Sequence, residues 1–286
     1  MKGVASLVAT ERYTSPLWCI KKKKTVKELK IPLLILFVVL ELLLLLFIKS
    51  NNEIAEDFSL NLITEIIGIF LTVLLIDLVI KRREKKEKKN ILKNAYSQYR
   101  IPAQKLLSFF AIIYKASSKE KPPEWNTDFK TLLTTEEFYN SITHLDFLKK
   151  APVSPTTDWI NFSRNQVEEV TSKFEKIIEK YAFVLDSKII ADLEWLENHW
   201  ILTILSSGPI LIASDKSMNF NRENLCLLSI KYENGENELK KLIDKLFDVA
   251  DYFKSITNDE SDISYSKGMW REDIAPMLGN SRVDDK

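Results

Sequence analysis

The sequence predicts an all-α protein in which a two-helix transmembrane hairpin is followed by a cytoplasmic helical bundle. Residues 31–48 and 58–80 are apolar segments long enough to cross a bilayer, and basic residues flank the pair on one side only. Beyond them, apolar residues recur at helical spacing between turn signals. These observations divide the chain into an N-terminal cytoplasmic segment (1–30), the transmembrane hairpin (31–80), a cytoplasmic helical domain (81–257) and a flexible C-terminal tail (258–286).

The first predicted span, residues 31–48, holds sixteen Ile, Leu, Val or Phe side chains among eighteen residues. At about −0.5 kcal/mol each they favour insertion by about 8 kcal/mol, whereas Glu41 at mid-helix opposes insertion by about 3 kcal/mol. Apolar side chains cover every face, which a helix of a soluble protein does not need. We therefore expect this segment to insert despite its carboxylate.

The second predicted span, residues 58–80, is less apolar but long enough to cross. Seven basic residues follow it within residues 81–89, and lysines also precede the first span. The outside loop between the spans, residues 49–57, carries one Lys and three acidic residues. Because basic flanks stay in the cytoplasm, we expect both termini to be cytoplasmic.

Polar and small residues recur on one face of the second span. Asn61, Glu65, Gly68 and Thr72 follow one another at spacings of four, three and four, and Thr64 lies beside them. Such residues let helices approach closely and form hydrogen bonds within a membrane. We therefore predict a polar face on this helix.

A second pattern relates two acidic residues of the hairpin. Glu41 lies twelve residues before Glu53 and Glu65 lies twelve residues after it. A turn centred on Glu53 therefore places both carboxylates at one depth, about 10 Å inside the outer ends of the spans. An ionised carboxylate facing lipid there costs several kcal/mol, so we expect each to be neutral or to face protein or water.

Three interpretations of these polar positions stay open. The first is a helix–helix interface, within the hairpin or between copies, that a protonated Glu65 stabilises. The second is a water-filled path between several copies, in which Glu41 or Glu65 forms an acidic ring that favours cations. The third is a site that carries protons or ions.

The cytoplasmic boundary of the second span has its own charge pattern. Asp77 lies four residues before Lys81, which is one helical turn, so we predict an ion pair between them. Lys81, Arg82 and Arg83 then mark the membrane boundary.

The rest of the chain reads as five or six helices. We expect the helix of the second span to continue outward as far as Pro102, which should kink or end it, and a separate piece to follow over 103–116. Residues 209–214 have the composition of a short strand. The remaining predicted helices are one from Thr134, with Glu137 as its capping-box partner, to about Leu148; one from Thr156 or Thr157 to about Leu185; one from Asp186 or Ser187 to Gly208-Pro209; and one over 236–256.

Composition and missing motifs narrow the function. The chain has 41 Lys+Arg against 40 Asp+Glu, so no net positive charge favours nucleic acid. Two distant cysteines exclude a disulfide framework, and no catalytic or phosphate-binding motif surrounds His144 or His199. We therefore predict a non-enzymatic protein without catalytic residue, cofactor or metal. Its expected partners are the lipid bilayer, further copies of itself and a cytoplasmic protein.

Residues 61–68, then Asp77, then residues 81–84 resemble a pattern in uncharacterised bacterial inner-membrane proteins. Those proteins have a two-span hairpin and a helical cytoplasmic domain, so the resemblance implies a location in the bacterial inner membrane. Some two-span proteins of this architecture are membrane effectors in anti-phage defence, with a cytoplasmic sensing domain and spans that permeabilise the membrane. The resemblance itself implies no activity. By analogy of architecture, the most specific functional hypothesis is a pore-forming or membrane-disrupting effector; the alternatives are a membrane-anchored scaffold and an enzyme acting at the membrane face.

Overall fold

A computed structural model describes residues 37–39, 41–42, 44–45, 48–49, 53–120, 128–153, 155–229, 238–263 and 279–283. The chain divides into two compact units, Met1–Lys88 and Lys89–Lys286. Within the described ranges every regular element is helical, and β pairing is limited to two isolated bridges. This confirms the predicted all-α class.

The described helices are α1 (Glu53–Ser117), α2 (Phe129–Leu132), α3 (Glu136–Ile142), α4 (Trp159–Tyr181), α5 (Ser187–Glu197), α6 (Trp200–Ser217) and α7 (Glu238–Thr257), with a 3₁₀ turn at Leu227–Ser229. Helix α1 contributes its first part to the first unit and the remainder to the second.

The first unit contains the predicted hairpin. The described residues between 37 and 49 are helical and exposed, and helix α1 begins at Glu53. The predicted outside loop, 49–57, is therefore helical at Lys49 and again from Glu53 onward. Residues 50–52, like the N-terminal segment 1–30, lie outside the described residues. The pairing of the two spans stays a prediction.

The expectation that a separate helix follows Pro102 is wrong. Pro102 lies inside α1, which continues to Ser117. Proline removes one hydrogen bond to the carbonyl of residue 98 and crowds that carbonyl. Its neighbours Tyr99, Ala103 and Leu106 are fully buried, however. Burial of this stretch offsets the lost bond and keeps the segment helical.

The second unit is a helical bundle with one contiguous core, as predicted. Helix α4 packs against α5 and α6, and α5 also packs against α7. The Tyr99 ring stacks on Phe174 with centroids 5.9 Å apart, and its hydroxyl donates to the Leu246 carbonyl at 2.6 Å. Tyr96 stacks on Phe253 at 5.6 Å. These contacts join the last part of α1 to α4 and α7.

Several helix starts differ from the prediction by one or two residues. Thr135, rather than Thr134, caps α3 by accepting the Phe138 amide at 3.1 Å. Asp158, rather than Thr156 or Thr157, caps α4 by accepting the Asn161 amide at 2.7 Å. In both cases an adjacent capping-type residue supplies the acceptor.

The predicted extension of α3 to about Leu148 is also wrong, since α3 ends at Ile142. The backbone that follows makes other bonds. The Asp146 amide donates to the Ser281 carbonyl at 2.9 Å, and the Phe147 amide donates to the Leu225 carbonyl at 2.8 Å. Hydrogen bonds to these distant residues replace the bonds within a helix that the sequence pattern predicted for Asp146 and Phe147.

Two predictions about residues 186–214 need correction. The predicted helix breaks at His199, whose Nδ1 accepts the Ile201 amide at 3.3 Å and so caps a new helix, α6. That helix then runs through Gly208 and Pro209 to Ser217, so residues 209–214 are helical and not a strand. Gly208 is buried against Ile160 of α4, and this packing outweighs the two breakers.

Part of the predicted flexible tail is packed. Residues 279–283, which we call the C-terminal strap, bond to the end of α1 and to residues 144–146. The Ser281 side chain is 1% exposed, and its Oγ accepts the Trp159 indole N–H at 2.8 Å. Residues 264–278 and 284–286 lie outside the described residues. The polar composition of the tail gives no indication of this contact.

Candidate functional site

Helix α1 carries the strongest membrane signal in the described chain. The segment Leu60–Ser117 contains an 18-residue window long and apolar enough to cross a bilayer. Only 6% of that window is buried, whereas the core helix of a soluble protein is mostly buried. This exposure agrees with a membrane-associated helix.

The helix has one shielded side in the first unit. Ile63 is 9% exposed, and residues spaced three or four apart on the same side are half-buried. All but one of them are apolar. The shielded residues are Leu62, Ile63, Ile66, Phe70, Val73 and Asp77.

The predicted polar face lies on a different side of the helix. At 3.6 residues per turn, Asn61, Glu65, Gly68 and Thr72 centre roughly 140° from the middle of the shielded side. All four are exposed, as is Thr64. A Cβ added at Gly68 meets no atom within 4 Å. The polar residues are therefore grouped, as their spacing predicts, and remain uncovered.

The two threonines use their hydroxyl protons within the helix. Thr64 Oγ1 donates to the Leu60 carbonyl and Thr72 Oγ1 donates to the Gly68 carbonyl, each at 2.8 Å. These local bonds satisfy both donors without a second helix. Among the described residues, the side chains of Asn61 and Glu65 have no hydrogen-bond or ionic partner, so they are the polar groups of this face that still need one.

An open groove runs between the polar face and the shielded side of α1. It is lined by Glu65, Gly68, Ile69, Thr72 and Val73. The spacing of the polar residues does not reveal Ile69 and Val73, because apolar residues recur all along this span. The absent side chain of Gly68 leaves the groove open at its middle, where a neighbouring helix can approach closely.

Glu41 is helical and exposed, in the part of the first span that the structure describes. The described residues record no contact that joins it to Glu65. Its predicted equal depth with Glu65 stays a prediction.

The boundary after the span has the predicted ion pair. Lys81 Nζ lies 2.5 Å from Asp77 Oδ2, one helical turn away. Arg82, Arg83 and the rest of residues 81–89 are helical and exposed. A continuous helix thus presents seven basic side chains to its surroundings directly after the apolar segment, where they can meet anionic headgroups.

Both histidines belong to the second unit. His199 is 3% exposed, and burial lowers the pKa of its imidazole to about 4. His144 lines a shallow pocket with Lys119, Glu137 and Arg282. Within the described ranges no group of three His, Cys, Asp or Glu residues is arranged to hold a metal ion.

Comparison with protein-family models, with curated proteins and with solved structures finds no match to this chain.

Proposed function

We propose that this chain is a non-enzymatic membrane protein whose copies associate in the bilayer through the polar face of α1, while the helical bundle senses or binds a cytoplasmic partner. The setting is the inner membrane of a bacterium, with both termini in the cytoplasm. In its most specific form, the assembly is a pore-forming or membrane-disrupting effector of anti-phage defence.

The exposed polar face of α1 is the observation that supports this proposal. A side chain such as Glu65 that faces hydrocarbon without a partner costs several kcal/mol. The shielded side of the helix is a different, mostly apolar side. The residues that the structure describes thus leave Asn61 and Glu65 uncovered, and the proposal is that a second copy supplies their partners. This favours an interface between copies over an interface within the hairpin.

The same face can line water once enough copies surround it. Glu65 of each copy then contributes to an acidic ring, which attracts cations. Two spans per chain cannot enclose such a path alone, so the pore form requires an assembly of about four or more copies. The number of copies in the assembly thus distinguishes a pore from a dimer that only anchors the bundle to the membrane.

The decisive experiment measures the mass of full-length protein in nanodiscs beside a fragment that starts near Asn90. We expect a defined assembly of four or more copies for the full chain. The fragment lacks the polar face and should form no such assembly. Conductance across planar bilayers then tests whether the assembly passes cations.

Substitutions on the polar face connect the assembly to this site. Glu65→Leu combined with Glu41→Leu should abolish cation conductance while expression stays normal, and Gly68→Leu should reduce the assembly by filling the groove. Asp77→Asn, which removes a carboxylate of the same helix outside the polar face, serves as the matched control. A monomeric wild-type protein, or a double variant that conducts like wild type, contradicts the proposal.

A further inference from the structure

The C-terminal end of α1 is completed by residues that lie far away in the sequence. The last four carbonyls of any α-helix have no partner within the helix. In α1 the Tyr114 carbonyl accepts the Ser118 amide at 2.9 Å, and the next three carbonyls accept donors from the C-terminal strap. Because Ala116 and Ser117 are buried, carbonyls at this end of the helix need partners within the protein.

The strap donors follow the order of the carbonyls. The amides of Gly279 and Ser281 donate to the carbonyls of residues 115 and 116, each at 3.1 Å. Arg282 Nη1 donates to the carbonyl of residue 117 at 3.0 Å. The strap therefore forms the C-cap of α1.

Helix α6 is capped at the same positions by its own sequence. The Phe220 amide donates to the Asp215 carbonyl at 2.9 Å, and the Asn219 amide donates to the Lys216 carbonyl at 3.2 Å. Asn219 has φ 57°, so the chain turns back over the end of the helix. Together these features form a Schellman motif, in which the residues that follow a helix bond to its second-last and third-last carbonyls.

The strap supplies to α1 what α6 takes from the residues directly after it. The third-last and second-last residues of α1 are Lys115 and Ala116, and their carbonyls bond to Gly279 and Ser281. Gly279 has φ 68°, whereas none of residues 118–120, which follow α1, has a positive φ. The left-handed residue of this cap is thus provided by the strap, which lies distant in sequence from the helix that it caps.

Hydrogen bonds, rather than apolar contacts, hold the strap to the bundle. Val283 is its single aliphatic residue and is half-buried. Besides its bonds to α1, the strap accepts the Trp159 indole N–H at 2.8 Å and bonds to the backbone of residues 144 and 146 at 2.8 and 2.9 Å. Water replaces such bonds when a segment detaches. A segment with few apolar contacts therefore opens at a lower free energy than the core.

From these contacts we infer that the strap is a releasable C-cap. In the docked state it closes the end of α1, and in the released state the last turn of α1 unwinds while the core stays folded. The cap of α6 is continuous with its helix and cannot leave it, whereas a cap from a distant segment can leave without unfolding of the bundle. A molecule that binds the released strap shifts α1 toward its uncapped end, because the two states differ in that contact. The inference concerns the second unit alone, so it does not depend on the proposed association of the spans.

Hydrogen exchange of the full-length protein in nanodiscs tests for the two states. The amides of Gly279, Ser281, Val283 and Asp146, which bond across the docked strap, should exchange as one unit with the Ser118 amide. Relative to their intrinsic rates, we expect them to exchange at least about tenfold faster than the amides on the buried side of α4. Equal protection of the strap and of α4 would mean that the strap leaves only when the bundle unfolds, which overturns the inference.

A substitution that excludes the strap isolates the released state. Gly279→Val places a branched side chain at φ 68°, where an added Cβ lies 2.9 Å from the Ser118 carbonyl oxygen. The variant should lose protection of the Ser118 and Asp146 amides while the amides of α4 remain protected. Asn280→Ala, at the exposed neighbouring position, is the matched control and should keep the wild-type pattern. Loss of protection throughout α4 in the Gly279→Val variant, or retained protection of Ser118, overturns the inference.

A cap built into the sequence after α1 should replace the strap at this helix alone. Residue 119 lies two positions after the last residue of α1, as Asn219 does for α6. Lys119→Gly added to Gly279→Val should therefore restore protection of the Ser118 amide but not of the Asp146 amide, whose acceptor lies on the strap. Lys119→Ala, which does not favour the left-handed conformation, should restore neither. If Lys119→Gly leaves Ser118 unprotected, the strap does not act as a cap and the inference is wrong.

Discussion

His199 illustrates how much a single side chain does in this bundle. It lies at the junction of α5 and α6, with the Trp195 ring 4.4 Å from its own ring. Its Nδ1 accepts the Ile201 amide, so the neutral imidazole carries its proton on Nε2, which lies 3.7 Å from Glu238 Oε2. Protonation of Nδ1 therefore removes the helix cap. Desolvation opposes the charged form, and the nearby Glu238 carboxylate only partly offsets it.

The buried His199 predicts a loss of stability in acid. Its pKa falls from 6.5 to about 4 on folding, so between these values the unfolded chain binds more protons and stability decreases as pH falls. At 1.4 kcal/mol per pKa unit, we expect a loss of about 2 kcal/mol between pH 7 and pH 5 from this residue. His199→Asn keeps an acceptor for the Ile201 amide but does not titrate. Urea unfolding across this pH range should show a flatter dependence for the variant; parallel curves would contradict the assignment.

Gly208 and Gly68, the glycines within the described helices, predict different outcomes for the same substitution. At Gly208 an added Cβ lies 2.9 Å from Ile160 Cγ2, within the α4–α6 contact. Overpacking there costs about 1–3 kcal/mol, and the better helix propensity of alanine returns about 1 kcal/mol. We therefore expect Gly208→Ala to destabilise the bundle by about 1 kcal/mol in urea unfolding. Gly68→Ala meets no atom within 4 Å and should leave the unfolding of the bundle unchanged.

At the scale of elements, the sequence pattern predicted correctly those helices whose formation depends on residues close together in the chain. The apolar periodicity of α4 and α7 and the Asp186 start of α5 agree with the structure, because each helix buries one continuous stripe. The polar face of α1 was predictable for the same reason, since spacing alone determines which residues share a helical side. The candidate site thus follows from sequence, while the partner of that face does not.

The errors occur where distant residues decide the local structure. Pro102 and Pro209 lie inside helices because burial of their neighbours outweighs the proline penalty, and no local rule contains that burial. The C-terminal strap was missed because its bonds cross more than one hundred residues, as between Ser281 and Trp159. Contacts of that range leave no periodic signal in a single sequence.

The C-terminal strap predicts that a short deletion destabilises the whole bundle. Removing residues 279–286 deletes backbone bonds to Lys115, Ala116, His144 and Asp146 and leaves the buried Trp159 indole without its acceptor. With about 1 kcal/mol for each of the four backbone bonds and for the indole bond, we expect a loss of about 5 kcal/mol in urea unfolding. Ser281→Ala should lose about 1–3 kcal/mol through the indole alone. Removing residues 284–286 is the control, and an equal effect of both truncations would argue against the strap.

At the scale of the whole molecule, the two units differ in the burial of their apolar side chains, and a charged segment lies where they meet in the sequence. The first unit exposes apolar side chains along α1, and the second unit buries its apolar side chains in one core. Residues 81–89 lie at the division between them and are all charged. This order of apolar helix, basic helix and packed bundle agrees with a chain held at a membrane surface. The apolar helix favours hydrocarbon, the basic helix favours anionic headgroups, and the bundle favours water.

The basic residues after the span also predict the orientation of the molecule. With the native flanks in place, an impermeant maleimide applied to intact bacterial cells should react with a cysteine placed at position 51 and not with one at position 286. Replacing all seven basic residues of 81–89 with Gln, and Asn51, Asn52 and Glu53 with Lys, removes the charge difference that retains this flank in the cytoplasm. We expect mixed orientations, seen as labelling at position 286 in part of the molecules. Replacing only the five lysines with Arg preserves the charge and should preserve the wild-type pattern, so labelling at position 286 in that variant would show that charge does not set the orientation.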